Sequence, residues 1–149
     1  MEKIPVFGTY NPEFQYIRRP GVYGIMVNQN HQVVVIQKPD GALFLPGGGL
    51  EAYETASQGL RREIQEELGC ELLSQKYFQR AHEYSYSSSD STNYFFLNEF
   101  YLITVDPDKI HPTEEDHKVC WVDQRDAKAQ MMHKSHAWVL GLFEAQFQK

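Results

Sequence analysis

Three glutamate side chains in the middle of the chain have the spacing of a cation site. Glu63, Glu66 and Glu67 occupy positions i, i+3 and i+4, so in a helix their carboxylates project from one side of one turn. Each like-charged pair at this spacing costs roughly 0.2–0.5 kcal/mol on an isolated helix, and partial burial raises the cost. Hard divalent cations bind clustered carboxylate oxygens. The residues alone leave two interpretations open: a cation site, or a solvated acidic face relieved by Arg61 and Arg62.

The helix that would carry these glutamates has predictable ends. Thr55 and Gln58 form a T-x-x-Q capping box, which predicts a start at about Thr55. Gly69 favours the left-handed position just after a helix, which predicts an end at about Leu68. Between these ends an apolar residue recurs at every fourth position: Ala56, Leu60, Ile64 and Leu68. The acidic side flanks this stripe and is therefore expected at the edge of the core.

A run of three glycines precedes the predicted helix. Gly47, Gly48 and Gly49 are interpreted as a loop, which is either a plain turn or a backbone that phosphate or metal can approach closely. Glu54 follows just before the helix. It could serve only to favour the positive N-terminal end of that helix.

The spacing across residues 48–70 resembles the Nudix box of the Nudix hydrolases. The pattern G-x5-E-x7-R-E-U-x-E-E-x-G-U, with U a bulky apolar residue, is filled from Gly48 to Cys70, although cysteine is small for the last U. Such a pattern is far more specific than a lone glycine motif. The resemblance implies an α/β/α sandwich with a mixed sheet. Tyr53 is a departure, because many family members carry glycine there, so the loop before Glu54 is expected to differ a little.

The resemblance also implies residue roles and a cofactor, Mg²⁺ or Mn²⁺. The expected catalytic residues are Glu54, Arg62, Glu63, Glu66, Glu67 and Glu115. The expected metal ligands are Glu63, Glu66, Glu67 and the carbonyl of Gly47. We assign substrate contacts to Gly48, Gly49 and Arg18. Within this set Glu54 and Arg62 are expected to hold the helix and the loop together.

The extra acid outside the box comes from a loop late in the chain. Family members often place an acid before a strand that carries a Trp, and Glu115 lies six residues before Trp121. Glu114 is the alternative choice for this acid. Both could instead belong to a solvated loop together with Asp116, because loops are polar by default.

The implied reaction is hydrolysis of a pyrophosphate bond in a nucleoside diphosphate linked to another moiety X, such as a nucleotide, a dinucleoside polyphosphate or a nucleotide sugar. Water attacks phosphorus, and divalent ions offset the phosphoryl charge and activate that water. A Nudix-fold sensor that binds nucleotides without cleaving them is the alternative, and the intact glutamates argue against it. A calcium-binding structural protein is disfavoured because the sequence has no D-x-[DN]-x-[DN]-G loop.

The amino-acid composition argues against several other classes of protein. We predict a single domain over residues 1–149, and a hydrophobic content of 42% argues against a disordered chain. The net charge of −6 and the lack of a basic run argue against nucleic acid as a partner, including RNA 5′ ends, and favour a small-molecule nucleotide. Two cysteines without metal-ligand spacing or a disulfide framework favour a reducing cytoplasm. No signal-peptide pattern or membrane-spanning run is expected, and a homodimer stays open.

Hydrophobic patterns predict the elements outside the box. Strands are expected at residues 21–28, 32–37, 42–45, 71–86 with an interruption, 93–104 and 117–122, with a short strand around residues 14–18. Helices are expected at residues 123–132 and 135–147, the second with an apolar face of Trp138, Leu142 and Phe143. His133 and His136 are predicted to be solvated, because a metal pair would need a third ligand. Most aromatic residues should lie in the sheet and core, and one or two could stack on a base.

Overall fold

Two sheets and three helices form the framework of residues 3–147, the part of the chain that this computed structural model describes. The strands are β1 (Val6–Phe7), β2 (Ile17–Ile25), β3 (Gln32–Gln37), β4 (Leu43–Phe44), β5 (Gly47–Gly49), β6 (Ser74–Ser87), β7 (Thr92–Thr104) and β8 (Lys118–Asp123). The helices are α1 (Ala56–Leu68), α2 (Gln124–Gln130) and α3 (Lys134–Phe147). A single 3₁₀ turn, Pro107–Lys109, interrupts the loop expected before β8.

The larger sheet is mixed, as the sequence predicts. Its strand order is β1-β6-β7-β2-β5. The pairs β1/β6 and β2/β7 are parallel, whereas β6/β7 and β2/β5 are antiparallel. The smaller sheet has the order β4-β3-β8 and is antiparallel throughout.

Strand β3 shows why helices cover both faces. Its four central residues are apolar and fully buried, the pattern of a strand that is buried on both sides. Val34 and Ile36 pack into the core that contains the apolar stripe of α1. Val33 and Val35 pack into a second core, with residues of α2 and α3. The predicted α/β/α sandwich is therefore confirmed.

The ends of α1 match the sequence prediction closely. The Gln58 N–H donates to the Thr55 hydroxyl at 3.1 Å, and the Gln58 side chain accepts from the Thr55 N–H at 3.0 Å, so the capping box is complete. Gly69 ends the helix in the left-handed conformation with φ 68°. The stripe residues Leu60, Ile64 and Leu68 are fully buried. Local sequence and core packing thus fix the same helix.

The prediction of a loop at Gly47–Gly49 was wrong. These residues form β5, which pairs antiparallel with β2, so that Gly49 lies opposite Gly21 and Gly47 opposite Tyr23. Gly47 has φ +144°, and a Cβ there would collide with the backbone of Val22. The strand depends on hydrogen bonds to residues far away in sequence, which is why local turn chemistry gave the wrong answer.

Other boundaries differ by a few residues. The short strand expected at 14–18 and the strand expected at 21–28 are one continuous strand, β2, and the N-terminal arm adds β1. The interruption predicted in β6 is a bulge between Tyr77 and Gln79. On α3 the most deeply buried apolar residues are Val139 and Leu140, while Trp138, Leu142 and Phe143 are only partly buried. None of the helices within residues 3–147 is long and apolar enough to cross a membrane.

Candidate active site

A cleft of about 390 Å³ opens beside the glycine strand and brings together an acidic end and an aromatic end. The end of β6 and the turn that follows it, residues 85–90, line part of this cleft. The lining residues used below are Arg19, Phe44, Gly47, Glu67, Phe96 and His133. The volume lies within the range of small-molecule sites.

Glu67 forms the acidic end. Its side chain projects from α1, the residue is only 8% exposed, and its Oε1 accepts a hydrogen bond from the Gly47 N–H at 2.6 Å. Burial raises the pKa of Glu67 to about 8, the Gly47 hydrogen bond opposes the rise, and the carboxylates of Glu63 and Glu114 add to it. A carboxylate in this setting is poorly stabilised as an anion without a further positive charge.

The loop before β8 brings a second acid and a histidine to Glu67. The His117 Nδ1 lies 2.7 Å from a Glu114 carboxylate oxygen and 3.6 Å from the Glu67 Oε2. One potential ligand atom from each of Glu67, Glu114 and His117 lies within 4.8 Å of the others. Glu115, the acid chosen from the sequence, is exposed. The structure therefore places Glu114, not Glu115, beside Glu67.

Two contacts with the end of α1 position this loop. The Thr113 hydroxyl donates to the Glu66 carbonyl at 3.1 Å, and the His111 N–H donates to the Leu68 carbonyl at 2.7 Å. A Cβ at Gly69 would collide with the His111 backbone, so the glycine that ends the helix also admits the loop. The same helix end thus sets the positions of Glu67 and Glu114.

Arg62 ties the glycine strand to the acidic helix. Its Nε and Nη2 donate to the two Glu54 carboxylate oxygens at 2.7 and 2.9 Å, and Nη2 also donates to the Gly49 carbonyl at 3.1 Å. Its Nη1 donates to Glu63 at 2.9 Å and to Glu66 at 3.2 Å. The hydrogen bond from Arg62 is the main reason that the pKa of Glu54 falls to about 2.

The glycine strand passes very close to Glu63. A Cβ at Gly48 would lie 2.7 Å from the Glu63 Oε1, so only glycine leaves room for that carboxylate. Burial raises the pKa of Glu63, and the hydrogen bond from Arg62 opposes the rise. Glu66 is exposed at the outer edge of the cluster. The structure therefore brings every predicted residue of the box together around one helix face.

The arginine that lines the cleft is Arg19, not Arg18 as expected from the sequence. The Arg18 guanidinium lies 6.0 Å from the centroid of the Phe95 ring, outside the cleft. The Arg19 guanidinium lies 5.6 Å from the Tyr94 centroid and next to Gly49. Successive residues of a strand point to opposite faces, so a choice between neighbours depends on a register that the sequence does not reveal.

Two histidines at the aromatic end are not solvated, so that prediction was wrong. His136 is 0% exposed, and its Nδ1 accepts from the Leu45 N–H at 3.3 Å. Burial holds the pKa of His136 well below its usual value. The His133 ring contacts the rings of Phe44 and Phe96, each at a centroid distance of 5.4 Å. Both histidines look polar and solvent-facing in sequence, but tertiary packing buries His136 and partly buries His133.

The acidic end fits a divalent cation. Oxygen atoms of Glu67 and Glu114 cluster with the His117 nitrogen, and the Glu63 carboxylate is near enough for its charge to raise the pKa of Glu67. Carboxylates with one imidazole are donors that divalent cations accept. The raised pKa of Glu67 reflects burial and mutual repulsion that a bound cation would offset. Nothing in the amino-acid spacing pointed to Glu114 and His117 as a pair, because the conformation of their loop decides it.

Comparisons with known proteins agree with this architecture. The chain matches the NUDIX domain family model over residues 17–142. The 8-oxo-dGTP diphosphatase of Haemophilus influenzae is 32% identical over 79 residues, which make up 50% of this chain and 57% of that protein, so the match spans little more than half of that relative.

Solved structures show the same fold over most of the chain. A MutT structure from work on Aliivibrio salmonicida and Vibrio cholerae is 27% identical, covers 87% of this chain and 99% of its own, and gives a TM-score of 0.66. The E. coli dihydroneopterin triphosphate pyrophosphohydrolase is 19% identical, covers 86% and 96% respectively, and gives a TM-score of 0.60, which supports the fold alone. With a family match that spans most of its length, this chain belongs to the NUDIX domain family.

Proposed function

We propose that this protein hydrolyses a pyrophosphate bond in a nucleoside diphosphate derivative and that it uses Mg²⁺ or Mn²⁺. The observation that carries the proposal is the two-ended cleft, in which the buried carboxylate of Glu67 lies at one end and aromatic rings at the other. Phosphate needs positive charge and backbone donors, whereas a base needs flat apolar surface. One ligand that has both parts is a nucleotide.

The acidic end would hold the cation through Glu67, Glu63 and Glu114, with Glu66, His117 and the Gly47 carbonyl as further candidate ligands. When bound, the cation neutralises phosphoryl oxygens and lowers the pKa of the attacking water. The Glu67 Oε1 is committed to the Gly47 N–H, which leaves Oε2 to face Glu114 and His117. Burial raises the pKa of Glu67, and the positive charge of the cation would offset that rise and keep the carboxylate ionised as a ligand.

The residues around the cluster position the phosphates. Arg62 holds Glu54, Gly49 and Glu63 in one network, so it fixes the glycine strand relative to the helix. Arg19 lies beside that strand and lines the cleft, where its guanidinium can meet phosphate oxygens in a bidentate way. Lys38 lines the same cleft, with its ammonium 4.5 Å from the centroid of the Phe44 ring.

The extra acid is proposed to be Glu114. The Glu114→Gln variant should lower kcat by at least ~10²-fold, the low end for loss of a general base. Glu115→Gln is the matched control, because it makes the same chemical change one residue away on an exposed side chain. A larger loss for Glu115→Gln than for Glu114→Gln would reverse the assignment, and equal small losses would show that the loop only shapes the rim.

A substrate screen tests the function itself. Nucleoside triphosphates including 8-oxo-dGTP, which the name of the Haemophilus influenzae relative suggests, dinucleoside polyphosphates and nucleotide sugars would be incubated with Mg²⁺, and the products identified by mass. Cleavage between phosphates in wild type, together with its loss in Glu67→Gln, is the expected result. Tight binding of a nucleotide without any product would instead favour a sensor, and cleavage at another bond would overturn the proposal.

We further propose that the substrate is a small-molecule nucleotide and that the protein works in a reducing cytoplasm. Cys70 and Cys120 are both free thiols, which supports that location. Sedimentation would distinguish a monomer from a homodimer.

A further inference from the structure

His133, at the aromatic end of the cleft, is paired with a buried carboxylate. The His133 Nδ1 is 3.4 Å from a carboxylate oxygen of Glu83, and Glu83 is only 4% exposed. Glu83 comes from β6, whereas His133 immediately precedes α3, so the pair joins two parts of the chain that are distant in sequence. The roles described so far do not use either residue.

Glu83 is held firmly in its ionised form. It accepts hydrogen bonds from the Ser135 N–H at 2.8 Å and the Lys134 N–H at 3.2 Å, both in the first turn of α3. Burial opposes its ionisation, but hydrogen bonds from His133 and Ser135 outweigh burial and lower the pKa of Glu83 to about 2. At neutral pH this side chain can only accept hydrogen bonds.

An acceptor at this position determines which ring nitrogen of His133 carries the proton. The nitrogen that faces Glu83 is Nδ1, so Nδ1 must be the donor. Nε2 belongs to the opposite edge of the ring, and His133 lines the cleft. The edges of Phe44 and Phe96 contact the same imidazole, so the ring is held from several sides.

We propose that Glu83 fixes His133 in the Nδ1–H form so that its Nε2 reads the hydrogen-bonding edge of the substrate base. The inference rests on the proposed function, because it assigns the aromatic end of the cleft to the base. His133 is then a specificity-determining residue, and Glu83 is a positioning residue that acts through it. With the ring proton on Nδ1, Nε2 is an acceptor, which favours base edges that present an N–H group to it.

Base discrimination is the first test. The ratio of kcat/KM between the best and the poorest of dGTP, dATP, dCTP and dTTP would be measured for wild type, His133→Phe and Glu83→Gln. Replacing a ring that hydrogen-bonds with one that cannot should compress the ratio by at least ~10-fold, mainly through KM. Glu83→Gln should compress it in the same direction. An unchanged ratio in His133→Phe would overturn the proposal.

His82→Phe is the matched control. His82 is the neighbour of Glu83 on β6 and contacts Phe95 with a centroid distance of 5.2 Å, outside the cleft lining. The same substitution there removes an imidazole from the sheet without touching the aromatic end. It should leave the base ratio within about twofold of wild type, which separates recognition by His133 from a general loss of sheet stability.

A spectroscopic measurement tests the pair without any turnover. In ¹⁵N-labelled wild-type protein, the His133 side chain should show a protonated Nδ1 and an unprotonated Nε2, and adding dGMP, dAMP, dCMP or dTMP should shift the Nε2 resonance. Glu83→Gln should weaken the preference for this tautomer. A protonated Nε2 with a bare Nδ1 in wild type would refute the inference. If none of the screened nucleotides is cleaved, the proposed function fails, but the tautomer and the monophosphate titration still decide the role of His133.

Discussion

Replacing Glu83 with glutamine should remove a large part of the acid sensitivity of folding. The pKa of Glu83 is 4.5 as an ordinary carboxyl and about 2 in the folded protein. A group with a depressed folded pKa contributes stability that is fully present above its unfolded pKa and is lost as the pH falls toward the folded pKa. At about 1.4 kcal/mol per pKa unit, the contribution is roughly 3 kcal/mol, lost between about pH 5 and pH 2.

Urea unfolding at several pH values between 5 and 2.5 measures this contribution. The free energy of unfolding of wild type should fall more steeply than that of Glu83→Gln, and the two curves should converge at the acid end. Glu54 also has a lowered pKa, but it is present in both proteins and cancels in the comparison. Glu13→Gln, on the exposed N-terminal arm, is the control and should follow wild type. Parallel curves for wild type and Glu83→Gln would refute the reasoning.

Three further predictions concern Tyr53, Arg19 and Gly48. Tyr53 has φ 68°, a conformation that costs a non-glycine residue about 1–2 kcal/mol. Tyr53→Gly removes this cost but adds the entropic cost of glycine, so the free energy of unfolding measured in urea should rise by roughly 0.5–1 kcal/mol. Tyr53→Ala keeps the strain and should not raise it. Arg19→Ala should raise KM by about 10-fold or more in steady-state kinetics, because a charged contact to phosphate is lost, and Arg18→Ala should change KM by less than about twofold. Gly48→Ala should lower kcat with the fold retained by circular dichroism, because its Cβ would lie 2.7 Å from a Glu63 oxygen; wild-type kcat would show that the close approach is dispensable.

The conformation at Tyr53 also answers a question raised by the sequence. Tyrosine at a position where glycine is common was expected to change the loop before Glu54. The residue instead adopts the left-handed backbone that suits glycine, and its side chain is fully exposed. Glu54 still reaches Arg62 with two hydrogen bonds. The departure from the motif therefore shows as local strain and leaves the network intact.

Elements whose determinants are local in sequence were predictable. The capping box at Thr55 and the terminal glycine at Gly69 fix α1, because each acts through hydrogen bonds within a few residues. The apolar run of β3 predicts a strand of the right length, and burial of alternate residues in two cores explains the helices on both sides. The sandwich follows from these patterns together with the family resemblance.

Features that depend on tertiary pairing were not predictable from one sequence. The glycine strand exists because β2 pairs with it, and Arg19 faces the cleft because of the register of that pair. Glu114 lies beside Glu67 because the loop is anchored on the end of α1. His136 is buried although its residue type favours solvent, since the Leu45 N–H and the aromatic rings enclose it.

Metal dependence is the central claim. The most direct test measures the rate of hydrolysis after the metal is removed with a chelator and again after metal is added back. Arg62 offsets part of the charge on Glu63 and Glu66, but Glu67 is buried beside Glu63 and Glu114, so productive phosphate binding should require a cation. Hydrolysis of the best nucleotide substrate should stop in excess chelator and return when Mg²⁺ or Mn²⁺ is added above the chelator concentration. Full turnover in excess chelator would contradict the account.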